Sequence, residues 1–150
     1  AGAILRAAEG FGATGAATCS AGSIGSANPL GPKALRSSAG AALRLPVVQG
    51  VGVAVLLAQL RIAGAKLYAA SVSGGQGSGA RPVLSPWQAD LRGPAALLIG
   101  NEGEGLPGEV ERSADALVRI PLAAGVDSLN AASAAAVLLY EAARQRGLGQ

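Results

Sequence analysis

The chain has no histidine, no methionine, one cysteine and four aromatic residues among its 150 positions. Without histidine, imidazole acid–base catalysis and Cys/His zinc sites are excluded, and no metal is expected. One cysteine, Cys19, excludes an internal disulfide. With no imidazole to activate it, Cys19 reads as a small core residue and not as a nucleophile. A reducing, cytoplasmic compartment is the expectation. Phe11, Tyr68, Trp87 and Tyr140 are the only rings, so the core must be built of Ala, Val, Leu and Ile. Base recognition by rows of stacked aromatics is disfavoured. Long apolar runs are lacking too. Ala131 to Tyr140 is the longest, far short of the ~18 residues of a membrane-spanning helix, and reads as a core helix. Arg6 and Glu9 interrupt the first apolar residues, which argues against a signal peptide. No membrane association is expected. The lack of Met, even at position 1, predicts that further sequence lies upstream of Ala1.

Charge is scarce, at 14% of residues, and unevenly placed. In residues 1–66, Glu9 is the only carboxylate against Arg6, Lys33, Arg36, Arg44, Arg61 and Lys66, a net charge of +5; the remainder carries −2. A positive field concentrated in one half suits a polyanionic partner, although the same charges also serve solubility. Half of the residues are hydrophobic, enough for a folded chain, and the length fits one domain over 1–150.

Periodicity and turn residues predict alternating helices and short strands. Gly2 to Glu9 is helical, with Ile4, Leu5 and Ala8 on one side and Gly10 as a stop. Ala13 to Cys19 reads as a strand and Ala21 to Pro29 as a loop. Pro32 to Ala42 reads as one helix with Pro32 in its first turn. Leu45 to Val48 is extended, Val51 to Ala63 a helix, and Lys66 to Val72 a strand. Ser73 to Pro86 is a low-complexity loop of Gly, Ser and Pro and a candidate for disorder. Ala95 to Ile99 is a strand, Pro107 to Arg112 a short helix, and Ala116 to Ile120 a strand. Ser128 to Arg146 is a long helix with Ser128 as N-cap. This alternation predicts an α/β domain with a mostly parallel sheet and helices on both faces.

The densest chemical signal is Leu98-Ile99-Gly100-Asn101-Glu102-Gly103-Glu104-Gly105-Leu106-Pro107. Three glycines alternate with an amide and two carboxylates directly after a buried strand, so the backbone must turn sharply and approach something closely. A second strand then ends in Ile120-Pro121-Leu122, and Ser128-Leu129-Asn130 opens the long helix. In parallel α/β folds, ligands bind at the carboxyl ends of strands. The glycine loop has neither the Gly-x-Gly-x-x-Gly spacing of a dinucleotide site nor the Lys-Ser/Thr of a P-loop. Its carboxylates would repel phosphates, so a neutral or cationic ligand fits better. A generic nucleotide-binding domain is thereby disfavoured.

These motifs resemble those of the SpoU/TrmH-type RNA 2′-O-ribose methyltransferases of the SPOUT superfamily, and the match covers essentially the whole chain. One motif stands as Gly2-Ala3-Ile4-Leu5-Arg6 followed by Phe11-Gly12-Ala13. The next is Ile99-Gly100-Asn101-Glu102-Gly103-Glu104-Gly105-Leu106. The last is Ile120-Pro121-Leu122 with Ser128-Leu129-Asn130 and Tyr140-Glu141-Ala142. The segment from Pro32 to Gly40, with Leu45-Pro46-Val47, resembles the family's linker region. The family's first-motif Asn would lie just before Ala1. An N-terminal RNA-binding extension, which full-length members often carry, is likewise expected to lie outside this chain.

The resemblance implies methyl transfer from S-adenosylmethionine to a ribose 2′-OH of rRNA or tRNA. It implies a C-terminal trefoil knot, an exception to the rule against knots, and a homodimer. Ala131, Ala132 and Ala134 would let backbones approach closely there. Gly100, Ile120 and Leu129 are implied to line the cofactor pocket, with Leu122, Ala70 and Asn101 nearby. Arg6 is similar to the residue implied to act on the 2′-OH. Its guanidinium is too weak an acid to serve as a base, so we expect it to bind the target phosphate and orient the hydroxyl. Glu102 would orient Arg6 or a backbone amide, and Ser128 and Asn130 would offer hydroxyl and amide groups near cofactor and target. Each has a plainer reading: core for Ile120 and Leu129, a surface arginine, a solvated carboxylate, and helix capping. A catalytically silent RNA-binding or dimerisation module of the same fold is the alternative for the whole chain.

Overall fold

The computed structural model describes residues 1–20, 28–71, 81–101 and 103–148. Six helices and six strands alternate along them. Helix α1 (Gly2–Gly10) leads into strand β1 (Ala16–Ser20), then α2 (Pro32–Ser37) and α3 (Ala41–Arg44). Strand β2 (Val47–Gly52) runs into α4 (Val53–Ile62) and β3 (Lys66–Ala70). The two-residue β4 (Val83–Leu84), a 3-10 turn (Pro86–Gln88), β5 (Ala95–Leu98), α5 (Gly108–Ser113) and β6 (Ala116–Val118) follow, and α6 (Ala131–Gln145) closes the chain.

Every ladder between these strands is parallel, but the strands form two sheets and not one. β1 pairs only with β2, and β4-β6-β3-β5 makes a four-stranded sheet. Side chains alternate across the latter. Tyr68, Ala116 and Val118 face Leu138 and Ala142 of α6. Ala69 and Leu117 face the opposite side, against Ala114 and Leu106, which flank α5. Helical segments therefore cover both faces. Leu138 is completely buried, so truncation to Ala would cost about 2–5 kcal/mol. A second core joins α1 (Leu5, Ala8) to α3 (Ala41, Ala42) and Leu45, with Leu139 of α6 against it.

Several boundaries depart from expectation. The helix expected over Pro32 to Ala42 is broken: Ala39 and Gly40 take left-handed backbone angles, φ 50° and 85°, between α2 and α3. The break seats Ser38, fully buried, with its hydroxyl donating to the Leu35 carbonyl at 3.0 Å. It also lets α1 pack tightly at Gly2, where a Cβ would lie 2.3 Å from the Ala34 carbonyl oxygen. The helix expected from Val51 starts at Val53, because Val51 and Gly52 pair with Cys19 and Ser20 in the β1–β2 ladder. Within the expected Ser73–Pro86 loop, residues 73–80 lie outside the described residues, whereas Val83 and Leu84 pair with β6. The long helix begins at Ala131, and its N-cap is Asn130 and not Ser128: the Asn130 Oδ1 accepts the Ser133 amide at 2.8 Å. No described helix is long and apolar enough to cross a membrane.

Candidate functional site

Because all ladders of the four-stranded sheet are parallel, β3, β5 and β6 end at one edge. The chain segments leaving that edge make a cavity of about 190 Å³. The Ser71 amide donates to the Val118 carbonyl at 3.0 Å and ties the end of β3 to the end of β6. Ala70 enters from β3, Ile120 and Leu122 from the turn after β6, and Ser128 and Leu129 from the segment before α6. Ala134 and the buried Leu138 of α6 form part of the wall.

The expected residues are thus divided by place. Ala70, Ile120, Leu122, Ser128 and Leu129 meet in one cavity. Gly100 and Asn101 follow β5 at the same sheet edge but do not line it. Gly100 has a local reason to be glycine. A Cβ there would lie 2.2 Å from the Gly105 carbonyl carbon, so the loop packs on its own backbone. The Asn101 side chain turns inward on the same loop, its Oδ1 accepting the Gly103 amide at 3.1 Å and the Glu104 amide at 2.7 Å. Asn130 caps α6. Glu102 lies outside the described residues. Arg6 is exposed on α1, lines no part of the cavity, and has no ion pair or hydrogen bond among the described residues.

Sequence reasoning missed Ser71, Arg119 and Asp127, which also line the cavity. Each adjoins a residue that was chosen: Ala70, Ile120 and Ser128. The Arg119 amide donates to the Leu84 carbonyl at 2.8 Å, so β4 fixes this part of the wall. The cavity combines apolar walls (Val118, Ile120, Leu129, Leu138) with the polar residues Ser71, Arg119, Asp127 and Ser128. Apolar contact with a few polar groups suits a small amphiphilic ligand. No described group of His, Cys, Asp or Glu could hold a metal ion.

About half of the described charges elsewhere are ion-paired. Arg44 grips Glu9 through two hydrogen bonds of 2.5 and 2.7 Å, which holds the Glu9 carboxyl below its usual range. Arg61 pairs with Asp115 and Lys66 with Asp90. Arg6, Lys33 and Arg36, on the packed helices α1 and α2, have no ion pair among the described residues. Cys19 is a free thiol, and partial burial pushes its pKa up, which lowers its reactivity.

Residues 1–140 match the profile of the SpoU rRNA Methylase family. A Synechocystis protein described as an uncharacterized tRNA/rRNA methyltransferase is 40% identical over 97% of this chain and 35% of its own length. The 23S rRNA (guanosine-2′-O-)-methyltransferase RlmB of Xylella fastidiosa is 36% identical over 98% of this chain and 54% of its own. Among solved structures, the SpoU methyltransferase AviRb of Streptomyces viridochromogenes with AdoMet superposes with a TM-score of 0.82 at 34% identity, covering 99% of this chain and 56% of that one. The AdoMet-bound rRNA methyltransferase of Sinorhizobium meliloti gives 0.80 at 31% identity, over 95% and 50%. The chain spans roughly a third to a half of the length of these curated relatives.

Proposed function

The chain belongs to the SpoU rRNA methylase family, and from that premise we propose that it is the catalytic domain of an S-adenosylmethionine-dependent RNA 2′-O-ribose methyltransferase acting on rRNA or tRNA. The observation that carries this reading is the convergence of Ala70, Ile120, Leu122, Ser128 and Leu129, from three separate segments, on one cavity at the carboxyl edge of the sheet. Relatives of the same fold hold AdoMet.

The cavity's donor set fits that cofactor, which when bound supplies an electrophilic methyl group on a sulfonium. Ile120 and Leu129 offer apolar surface for a flat ring, backed by the buried Leu138. Asp127 offers a carboxylate for the amino group of an amino-acid moiety, and Ser128 offers a hydroxyl. The self-closed glycine loop follows β5 at the same sheet edge and brings no phosphate-binding cation. Asn101 and Gly100 contribute by shaping that loop. Arg6 binds the target phosphate and orients the 2′-OH, Glu102 orients Arg6 or a backbone amide, and Asn130 holds the start of α6 in place beside the target. In-line orientation of the hydroxyl is the protein's main contribution to rate.

Arg6 lies outside the cavity of its own chain, which favours a site completed by a second subunit. A homodimer through α1 and α6 suits the exposed apolar side chains there: Val137 and Tyr140 are 39% and 57% exposed, and Phe11 packs edge-on against Tyr140 at 5.8 Å. Arg6, Lys33 and Arg36, which have no ion pair among the described residues, supply positive charge for RNA from the contacting helices α1 and α2. The sheet order β4-β6-β3-β5, with α6 returning across β6 and β3, supports a C-terminal trefoil knot. An RNA substrate implies a cytoplasmic location. The position of Arg6 also keeps the alternative open: a silent RNA-binding or dimerisation module would need no Arg6 at the cavity. Calorimetry with S-adenosylmethionine, ATP and NAD is the test. Binding of S-adenosylmethionine alone, with transfer of labelled methyl to RNA by the longer protein, supports the enzyme. Cofactor binding without transfer favours the silent module, and no cofactor binding overturns the cavity assignment.

A further inference from the structure

We infer that the groove between the 3-10 turn Pro86–Gln88 and the carboxyl end of α6 is a second RNA-contact surface, taking a single-stranded segment by stacking a base on Trp87 and pairing phosphates with Arg92 and Arg144. This rests on RNA being the substrate class. Trp87, Arg92 and Arg144 line one groove together with Gln88, Asp90 and Gln145. The indole is 64% exposed although its neighbours Pro86 and Ala89 are buried.

The platform under the indole is rigid. The Gln88 Oε1 accepts the Ser85 amide and hydroxyl, each at 2.9 Å, which locks the turn. The end of α6 clamps the following backbone. Gln145 Nε2 donates to the Ala89 carbonyl at 3.0 Å, and Gln145 Oε1 accepts the Leu91 amide at 2.9 Å. Arg146 donates to the Leu91 and Gly93 carbonyls at 2.7 and 2.8 Å. A ring held outward on a preordered base costs little further ordering when a ligand stacks on it.

The surrounding charge selects the ligand. Around the groove Lys66 and Arg92 pair with Asp90 and Arg144 pairs with Glu141, while Arg146 adds a cation bound to backbone carbonyls. The Arg92 side chain is 74% exposed and its single contact to Asp90 can be exchanged for phosphate, whereas Arg144, 54% exposed, stays in a two-bond pair with Glu141 and offers phosphate only its remaining donors. An apolar protein partner would have to desolvate these guanidinium groups. A nucleic-acid strand uses them and gives the indole a base to stack on, a combination that tolerates any base. The groove lies at the amino end of the sheet, where Lys66 begins β3 and reaches Asp90, whereas the cavity lies at the carboxyl end. The length of β3, at about 3.3 Å per residue, puts them roughly 13–16 Å apart. The groove would therefore hold a segment flanking the modified nucleotide and not the nucleotide itself.

Trp87 is the only tryptophan, so its emission reports the groove directly. The chain is titrated at low salt with a labelled, unstructured single-stranded RNA of about twelve nucleotides, reading indole emission and label anisotropy together. Emission should be quenched with the same midpoint as the anisotropy. Trp87→Ala should weaken binding about tenfold and Trp87→Phe should recover most of it. Arg92→Gln should lower the slope of log affinity against log salt by about 0.7, the share of one phosphate on a single strand. Binding without quenching, equal affinity of Trp87→Ala and parent, or no RNA bound in either readout overturns the groove. So does emission that depends on protein concentration without RNA, which would make a second copy the occupant. S-adenosylmethionine calorimetry on the same samples keeps the two readings apart. A failed groove with intact cofactor binding leaves the methyltransferase reading standing, and lost cofactor binding in the parent chain counts against that reading alone.

Discussion

The Gly105 amide donates to the Asn101 carbonyl at 3.1 Å and closes the glycine loop on itself in an isolated antiparallel bridge. The Asn101 side chain accepts two further amides of the same loop, from Gly103 and Glu104. The segment whose glycines predict a sharply turning backbone is thus a tight turn, held by one asparagine. Its amides are largely turned onto that residue, so the loop serves its site through shape.

Gly100 is the weak point of that turn. A Cβ there would meet the Gly105 and Leu106 backbone at 2.2–2.6 Å, and backbone cannot step aside as a side chain can. Gly100→Ala should therefore open the loop and weaken S-adenosylmethionine binding at least tenfold, with Gly100→Val worse. Gly103→Ala is the control, since a Cβ there finds nothing nearer than the Asn101 Oδ1 at 3.9 Å. Calorimetry on the three variants decides. Undiminished affinity in Gly100→Val would remove the loop from the site.

Asn130 carries a structural role that must be separated from a catalytic one. Removing its cap to the Ser133 amide in Asn130→Ala should cost about 1 kcal/mol in urea unfolding, while Asn130→Asp or Asn130→Ser should keep most of that stability. If the side-chain amide also meets the target, the Asp and Ser variants should still lose turnover. Stability and methyl transfer measured on the same variants distinguish the two: turnover that follows stability alone would make Asn130 only a cap.

Strands β3, β5 and β6 and helix α6 were legible because each is an apolar run bounded by Gly, Pro or polar residues. What was missed depends on tertiary contact. Gly40 is the one local breaker within Pro32 to Ala42, and the packing of α1 on α2 at Gly2 and the burial of Ser38 accompany the break there. β4 is two residues long, with no period to read, and exists through its pairing with β6. Ser128 and Asn130 are both good caps, and only the fold decides which one α6 uses. The cavity walls were readable as strand-end and helix-start motifs. Arg119 and Ser71 were passed over because a strand's alternation does not reveal which face a cavity will open on.

Stability should fall in acid through Glu141. Its carboxylate is held by Arg144 and also accepts from Gln145, and its pKa is lowered from 4.5 to about 2. Below pH about 4.5 the unfolded chain takes up a proton that the folded chain refuses. The contribution is thus complete above pH about 5 and is lost as the pH falls toward 2. Glu141→Gln should be less stable than the parent at pH 7 and flatter across pH 5 to 2 in urea unfolding. Asp90, also lowered to about 2 by Arg92 and Lys66, adds to the residual slope. A variant with the parent's full acid slope would exclude Glu141 as a source.

Arg6→Ala should abolish methyl transfer and leave cofactor affinity nearly intact, because Arg6 is exposed on α1 and lines no part of the cavity of its own chain. Losing an oriented contact made in the transition state would lower single-turnover transfer by roughly 10²-fold or more. Arg6→Lys should fail almost as badly, since lysine keeps the charge but loses the planar fork. If the site is completed across a dimer, the two defects can complement. Arg6→Ala mixed with a cavity variant such as Leu129→Asp, each inactive alone, should regain partial activity after subunit exchange, because one mixed site keeps both an intact cavity and an intact Arg6. Light scattering at micromolar concentration checks that dimers form. Parent-like transfer by Arg6→Ala would overturn its role. Loss of S-adenosylmethionine binding in that variant would make Arg6 a cofactor or structural residue. Dimers that exchange subunits yet never recover activity would place Arg6 and the cavity it serves in the same subunit.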